Sequence, residues 1–262
     1  MVEKRRPNDN CQKIEKASLP KKIRLDKLLL LHDLASSRHK AQALIAAGQV
    51  LVDHQVVDKA GSLINAKSQV EIKARCPYVS RGGLKLEKGL EYFHINPENY
   101  ICADIGASTG GFTDCLLQNN ASKIYAVDVG YGQLDWKLRQ DSRVVVLERT
   151  NARYLTKEEI KDPIDLAVID AAFISLKLLL PPLIPLFKNK VSILALIKPQ
   201  FEVGKGKVGK GGVVKDPALH EEVIADIINF TEPLGLASEG VTESPILGPK
   251  GNKEFLIYLM ST

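Results

Sequence analysis

Tyr100-Ile-Cys-Ala-Asp104-Ile-Gly106-Ala-Ser108-Thr-Gly110-Gly111-Phe112 is an apolar run that stops at an acid, breaks into glycines and resumes as a helix over Phe112–Leu117. That pattern predicts a buried strand, a tight turn and a helix start. In open α/β sheets, ligands bind at such turns, outside the carboxyl ends of the strands. Glycines there let the backbone approach a ligand where a Cβ would clash.

Downstream, strands and helices alternate, which predicts a parallel sheet with crossovers. Strands are expected at Tyr100–Ile105, Lys123–Val127, Arg143–Leu147, Ile164–Ile169 and Val191–Ile197. Helices are expected near Leu84–Phe93, Gly111–Gln118, Gln133–Arg139, Lys157–Ile160, Leu176–Phe187 and Pro217–Phe230. Gly240–Ser244 and Glu254–Met260 supply two last strands. The fold class is α/β: a doubly wound, Rossmann-like sheet of about seven strands, preceded by a small α+β domain.

Three ligands compete for the opening turn. A dinucleotide requires G-x-G-x-x-G, and Gly106-Ala-Ser-Thr-Gly110-Gly111 fails it. A P-loop requires G-x-x-x-x-G-K-[ST]; the tempting copy, Gly204 to Gly211, puts glycine where the Mg²⁺-binding hydroxyl belongs. The third ligand is S-adenosylmethionine, whose zwitterionic end suits a D-x-G-x-x-x-G-G turn. Asp104 is expected to serve the ammonium end through water or backbone, with Gly106, Ser108, Gly110, Gly111 and Phe112 close to the methionine portion. The second strand ends in Asp128, placed for ribose hydroxyls. Asn151 follows the third strand, on the adenine side.

The 262 residues carry 36 Lys/Arg against 31 Asp/Glu, unevenly spread: residues 1–90 hold 18 against 9, and the remainder 18 against 22. A basic front joined to a slightly acidic body suggests a polyanion-binding module on a domain with other work. Cys11, Cys76, Cys102 and Cys115 form no CxxC pair, which favours buried small hydrophobes in a reducing cytoplasm over a disulfide framework or metal site. No metal site is expected. No apolar run is long enough to span a bilayer, and the charged start lacks the apolar core of a signal peptide.

Residues 1–21 read as a flexible basic arm, 22–80 as the small domain with its linker, and 81–262 as the larger domain. In the small domain, Arg24–Leu34 and Arg38–Ala47 have helical spacing, with Ser36 or Ser37 as cap and Gly48 as stop. Gln49–Val52 and Gln55–Val57 form a hairpin around Asp53-His54, and Gln69–Lys73 adds a strand. Arg24-Leu-Asp-Lys27-Leu28, Ser37-Arg38-His-Lys40-Ala41 and Leu44-Ile-Ala-Ala-Gly48-Gln-Val50 resemble the RNA-binding domain named after ribosomal protein S-four. The resemblance implies RNA contact by Arg24, Lys27, Arg38 and Lys40, through shape and backbone. Arg81 in the joint, and Lys205, Lys207 and Lys210 in the glycine-lysine loop, are further candidates for RNA phosphate.

Asp104 to Gln118, Tyr125 to Leu134 with Trp136-Lys-Leu-Arg139, and Lys198-Pro-Gln-Phe-Glu202 followed by Gly211 to Asp216 resemble the TlyA family. These are ribosomal RNA ribose 2′-O-methyltransferases, historically labelled hemolysins, that join an S-four-type domain to an FtsJ-like one. The resemblance implies S-adenosylmethionine as cofactor, ribosomal RNA or ribosomal subunits as partner, and a catalytic Lys85, Asp170, Lys198 and Glu254. A ribose hydroxyl is a poor nucleophile, so the chemistry needs Lys198 either as a base or as a cation stabilising the alkoxide. Asp170 and Lys198 also end predicted strands, where this fold places functional groups. One departure is Asp170-Ala171-Ala172-Phe173 where the family usually has Val-Ser after the aspartate. Rival readings are a base methyltransferase, a non-catalytic RNA-binding assembly factor and a membrane-lytic protein. The first lacks its Pro-Pro-aromatic turn or a cysteine near the site loops, and the last lacks a spanning or strongly amphipathic basic helix.

Overall fold

The computed structural model describes residues 21–72, 76–204, 206–209 and 211–262. The arm expected over 1–21 therefore lies outside the described residues except for Lys21. The chain divides into two compact units, residues up to 75 and residues from 76 on.

The first unit contains β1 (Lys22–Arg24), α1 (Leu25–Leu31), α2 (Arg38–Ala46), β2 (Val50–Val52), β3 (Gln55–Val56), β4 (Leu63–Asn65) and β5 (Val70–Ile72). Leu25, Leu28 and Leu29 of α1 meet Ala41 and Ile45 of α2 over Val50, Val52 and Val70. Ser37 caps α2, its Oγ accepting from the Lys40 amide at 3.2 Å. Asp53 and His54 both take positive φ, 48° and 66°, the conformation a primed hairpin turn demands. Asp53 tolerates it because its carboxylate accepts from the Gln69 amide at 3.0 Å and Ser68 Oγ at 2.8 Å. Lys22–Arg24 pairs with Leu63–Asn65. Sequence periodicity had no means of showing this, since each strand has three residues and the partner is distant along the chain.

Asp26 is fully buried in this unit. Its carboxylate accepts from Arg24 Nε and Nη2, both at 3.0 Å, from Arg38 Nε at 3.0 Å and from Gln42 Nε2 at 3.2 Å. The Arg24 hydrogen bonds hold the carboxyl well below the usual carboxylate range. A depressed folded pKa gives stability that is full above the unfolded pKa of about 3.9 and is lost as pH falls towards the folded value. Asp26→Ala should cost this unit on the order of 3 kcal/mol at pH 7. Hydrogen exchange of the α1 and α2 amides should show a smaller difference from wild type below about pH 4.

The second unit contains α3 (Gly82–Tyr92), β6 (Ile101–Ile105), α4 (Gly111–Gln118), β7 (Lys123–Val127), α5 (Trp136–Arg139), β8 (Val144–Leu147), β9 (Leu166–Ile169), α6 (Leu176–Leu183), β10 (Ser192–Ile197), α7 (Pro199–Glu202), α8 (Pro217–Thr231), β11 (Leu236–Glu243) and β12 (Phe255–Ser261). The seven-stranded sheet has the order β11-β12-β10-β9-β6-β7-β8, as expected of a doubly wound fold. Strands β6 to β10 are parallel, and β12 returns antiparallel beside β10. Alternate side chains feed two cores. Ala103 and Ile105 of β6 join the face with Leu176, Leu180 and Ile227, while Cys102 joins Leu86, Leu116 and Leu138 on the other. Burial pushes the Cys102 thiol up, and that of Cys115 up to about 12, so both behave as small apolar groups.

Two expectations need correction. Residues 157–160 form a turn, with no helix. Thr156 and Glu159 close it on themselves: the Thr156 amide donates to Glu159 Oε2 at 2.9 Å and Thr156 Oγ1 at 2.8 Å. Pro163 follows too soon for further turns. Residues 77–80, expected in a linker, pack with the second unit. Tyr78 is buried there, donating to Glu87 Oε1 at 2.8 Å, and the Val79 amide donates to Asp114 Oδ2 at 2.8 Å.

Candidate active site

Three parallel strands end at one edge of the sheet, β6 at Ile105, β9 at Ile169 and β10 at Ile197. The chain leaves β6 to one side through β7 and β8, and returns to the other side through β9, so a crevice opens between β6 and β9. Gly106 turns out of β6 at φ +85° and donates its N–H to the Val127 carbonyl at 2.9 Å. A Cβ on it would stand 2.9 Å from the Asp170 carbonyl oxygen and 3.0 Å from Ala171 Cα. Glycine is therefore what lets the two strand ends lie side by side. Gly110, at φ +95°, caps α4.

Asp128 ties this turn to the end of β7. Its Oδ2 accepts from the Ser108 amide at 2.8 Å and its Oδ1 from the Gly130 amide at 2.6 Å. Asp104, by contrast, is fully enclosed and borders neither of the two cavities at this turn. Its Oδ2 accepts from Thr113 Oγ1 at 2.6 Å, and its Oδ1 has no partner among the described residues. Burial pushes this carboxyl up to about 7. The side chain fixes the first turn of α4, and with it the glycine turn, from behind. Thr113 was not legible as its partner, because a threonine on a helix has many uses.

Two cavities meet at the turn. The larger, 840 Å³, is bordered by Asp128, Gln133 and Asn151 on one side and by Ile174, Leu178, Leu179 and Phe201 on the other. The smaller, 440 Å³, is bordered by Ser80, Arg81, Lys85, Gly111, Phe112, Lys198 and Leu247. Gly106, Ser108, Asp170 and Ala172 border both. Ala172 thus stands at the junction of the two cavities.

Lys85, Asp170 and Lys198 border the smaller cavity, and with the enclosed Glu254 beside Lys85 they form a row of alternating charge. Glu254 Oε2 lies 2.7 Å from Lys85 Nζ, which lies 3.7 Å from Asp170 Oδ2; Asp170 Oδ1 lies 2.6 Å from Lys198 Nζ. Topology explains the meeting. Asp170 and Lys198 leave the adjacent strands β9 and β10, and Lys85 projects from α3. Because β12 runs antiparallel, with Phe255 opposite Ile197, its start places Glu254 at the same edge. Lys85, Lys198 and Glu254 are all buried. Opposite charges in a desolvated row hold each other in fixed geometry. Glycine at 248 makes room for this row, since a Cβ there would fall 2.0 Å from Glu254 Oε1.

Sequence reasoning passed over Phe173. Its ring is 89% exposed, its φ is +63°, and it borders the larger cavity. A bulky residue rarely holds such a backbone. The available signal was an aromatic three residues after a strand-ending aspartate. Among the RNA candidates, Lys27 and Lys40 are exposed. Arg24 and Arg38 share Asp26 yet remain 40% and 54% exposed. Lys207 is paired with Glu222, and Lys205 and Lys210 lie outside the described residues.

Residues 78–260 match the FtsJ-like methyltransferase family, and residues 23–70 match the S4 domain. The chain belongs to the FtsJ-like methyltransferases. Among curated proteins it is 45% identical over 243 residues to TlyA of Mycobacterium tuberculosis, named a 16S/23S rRNA (cytidine-2'-O)-methyltransferase; the match covers 92% of this chain and 91% of that one. It is 42% identical over 239 residues to Hemolysin A of Brachyspira hyodysenteriae, covering 91% of this chain and all of the other. A solved Streptococcus thermophilus structure carrying a hemolysin name superposes with a TM-score of 0.72 at 42% identity, over 92% of this chain and 89% of that one. Among the described residues no helix is long and apolar enough to cross a membrane.

An FtsJ-like methyltransferase uses S-adenosylmethionine, and the larger cavity fits it. Its volume suits a nucleoside with a short side chain. Asp128 and Gln133 would offer acceptor and amide groups to ribose hydroxyls, and Val127, Ala152, Ile174 and Leu179 would give an apolar slot for a base. The backbone turn at Gly106 and Ser108, which borders both cavities, would hold the amino-acid portion.

Proposed function

We propose that the protein methylates the ribose 2′-hydroxyl of a nucleotide in ribosomal RNA, acting on the RNA free or within ribosomal subunits. The observation that carries this reading is the Glu254–Lys85–Asp170–Lys198 row opening beside the glycine turn. Bound S-adenosylmethionine supplies an electrophilic methyl with its own leaving group, so the protein must supply a poised oxygen nucleophile. Lys198 Nζ is the group for that oxygen: unprotonated it takes the hydroxyl proton, and protonated it stabilises the developing alkoxide. Asp170 fixes the Lys198 ammonium, and Glu254 holds Lys85 where its charge borders the same site. The remaining contribution is in-line placement of hydroxyl and methyl. Phe173, exposed beside the junction, offers a flat face to the nucleotide being modified. In this reading the protein works in the cytoplasm, on ribosomal RNA as its substrate.

The first unit supplies RNA affinity in this reading, through Lys27, Lys40 and the outer faces of Arg24 and Arg38. The double substitution Lys27→Glu/Lys40→Glu in the full chain should weaken ribosomal RNA binding at least about tenfold and flatten the log-affinity against log-salt slope by about 2. Turnover at saturating RNA should stay within about twofold, since both lysines belong to the first unit and the reactive row to the second. Filter binding across a salt series measures the first, and labelled methyl incorporation the second. Unchanged affinity and slope would remove RNA contact from these two lysines. No incorporation by the wild-type protein into either ribosomal subunit or its RNA would favour a non-catalytic assembly factor.

A further inference from the structure

Glu202 borders neither of these two cavities, yet it connects the two loops that carry the reactive groups. It ends α7, the single turn that starts directly after Lys198. Its carboxylate reaches across to the loop after Asp170. Ser175 Oγ donates to Oε2 at 2.6 Å, and the Leu176 amide donates to Oε1 at 2.8 Å. Leu176 opens α6, so its amide is one of the helix-start donors that have no partner within the helix. Ser175 also caps α6, its Oγ accepting from the Lys177 amide at 3.2 Å. Beside this connection, the Phe173 and Phe201 rings meet with centroids 5.0 Å apart.

We infer that Glu202 is a positioning residue, a latch that holds the Asp170–Ser175 loop and the Lys198–Phe201 segment in one arrangement and so sets the Asp170–Lys198 contact. This rests on the methyl-transfer reading above. The loop that it holds needs holding. Phe173 sits at φ +63°, a strained conformation for an aromatic residue, which surrounding structure must enforce. The same loop sets Ala171 against Gly106 and places Ala172 on the border of both cavities. Without the latch, the strain at Phe173 is relieved by moving the residues on either side of it. A misplacement of about 1 Å at a reacting group can cost about a hundredfold in rate.

Glutamine can preserve the latch: its carbonyl accepts from the Leu176 amide, and its NH₂ donates to Ser175 Oγ. Alanine cannot. In the full-length protein acting on ribosomal RNA, Glu202→Ala should lower kcat at least about tenfold with KM for RNA within about twofold. Glu202→Gln should retain at least about half of the wild-type rate. Ser175→Ala should lower kcat as well, and adding it to Glu202→Ala should cost less than twofold more, because both remove one connection. Hydrogen exchange of amides 171–177 should rise in Glu202→Ala and not in Glu202→Gln. Wild-type kcat in Glu202→Ala overturns the inference. So does a Glu202→Gln as impaired as Glu202→Ala, which would mark the carboxylate's charge as the essential property. Should Glu202→Ala fail to fold by circular dichroism, Ser175→Ala decides, and full activity there with unchanged exchange overturns the inference. If the wild-type protein transfers no methyl, the reaction assignment fails, while the exchange comparison still judges the latch.

Discussion

Lys198→Ala should lower methyl transfer to RNA by about 10²- to 10⁴-fold, the range for losing a general base or a preorganised charge at a developing oxyanion. Cofactor affinity should stay within a few-fold, because Lys198 borders the smaller cavity and is absent from the wall of the larger one. The substitution leaves Asp170 without its 2.6 Å partner, but Lys85 remains 3.7 Å away to oppose the charge. The fold should therefore survive, as strand β10 and its neighbours are buried apolar residues untouched by the change. Single-turnover kinetics at saturating RNA, with calorimetric titration of S-adenosylmethionine, would separate the two effects. A variant with wild-type turnover would remove Lys198 from the reaction. A variant that lost cofactor binding to the same extent would move it to the cofactor.

Gly106→Ala should act on the other half of the site. A left-handed φ costs a non-glycine residue about 1 kcal/mol, and here the new methyl would also meet backbone atoms of Asp170 and Ala171 at 2.9 to 3.1 Å. Neither neighbour can rotate away as a side chain could. The turn must shift, and with it the Ser108 amide that holds Asp128. Affinity for S-adenosylmethionine should fall at least about tenfold, more than the backbone strain alone would give. Cofactor binding within twofold of wild type would show that the turn is not the cofactor cradle.

The large domain was legible because its signals are local. Each buried strand is a short apolar run bounded by turn residues, and the Gly106–Gly111 turn joins a strand to a helix within seven residues. Strand ends alone placed Asp170 and Lys198 on the functional edge. Lys85 and Glu254 were reachable only through family resemblance. One lies on a helix face and the other at the start of an antiparallel strand, and 169 residues separate them, so no periodicity relates them. Residues 157–160 misled because Thr156 and Glu159 make a helix-start pattern that no apolar stripe continues. Asp104 was read towards the ligand because it ends the strand, yet strand alternation turns its side chain onto Thr113. Phe173 and Glu202 depend on contacts between loops, which sequence spacing does not encode.

The central claim is that the methyl group goes to a ribose oxygen. Ribosomal subunits and their isolated RNA, incubated with the full-length protein and isotopically labelled S-adenosylmethionine, can be digested to nucleosides and resolved by mass spectrometry. The label should appear on the sugar fragment of one 2′-O-methylnucleoside, and Lys198→Ala should reduce it by at least a hundredfold. Label on a base fragment, or none on any nucleoside, would contradict the account.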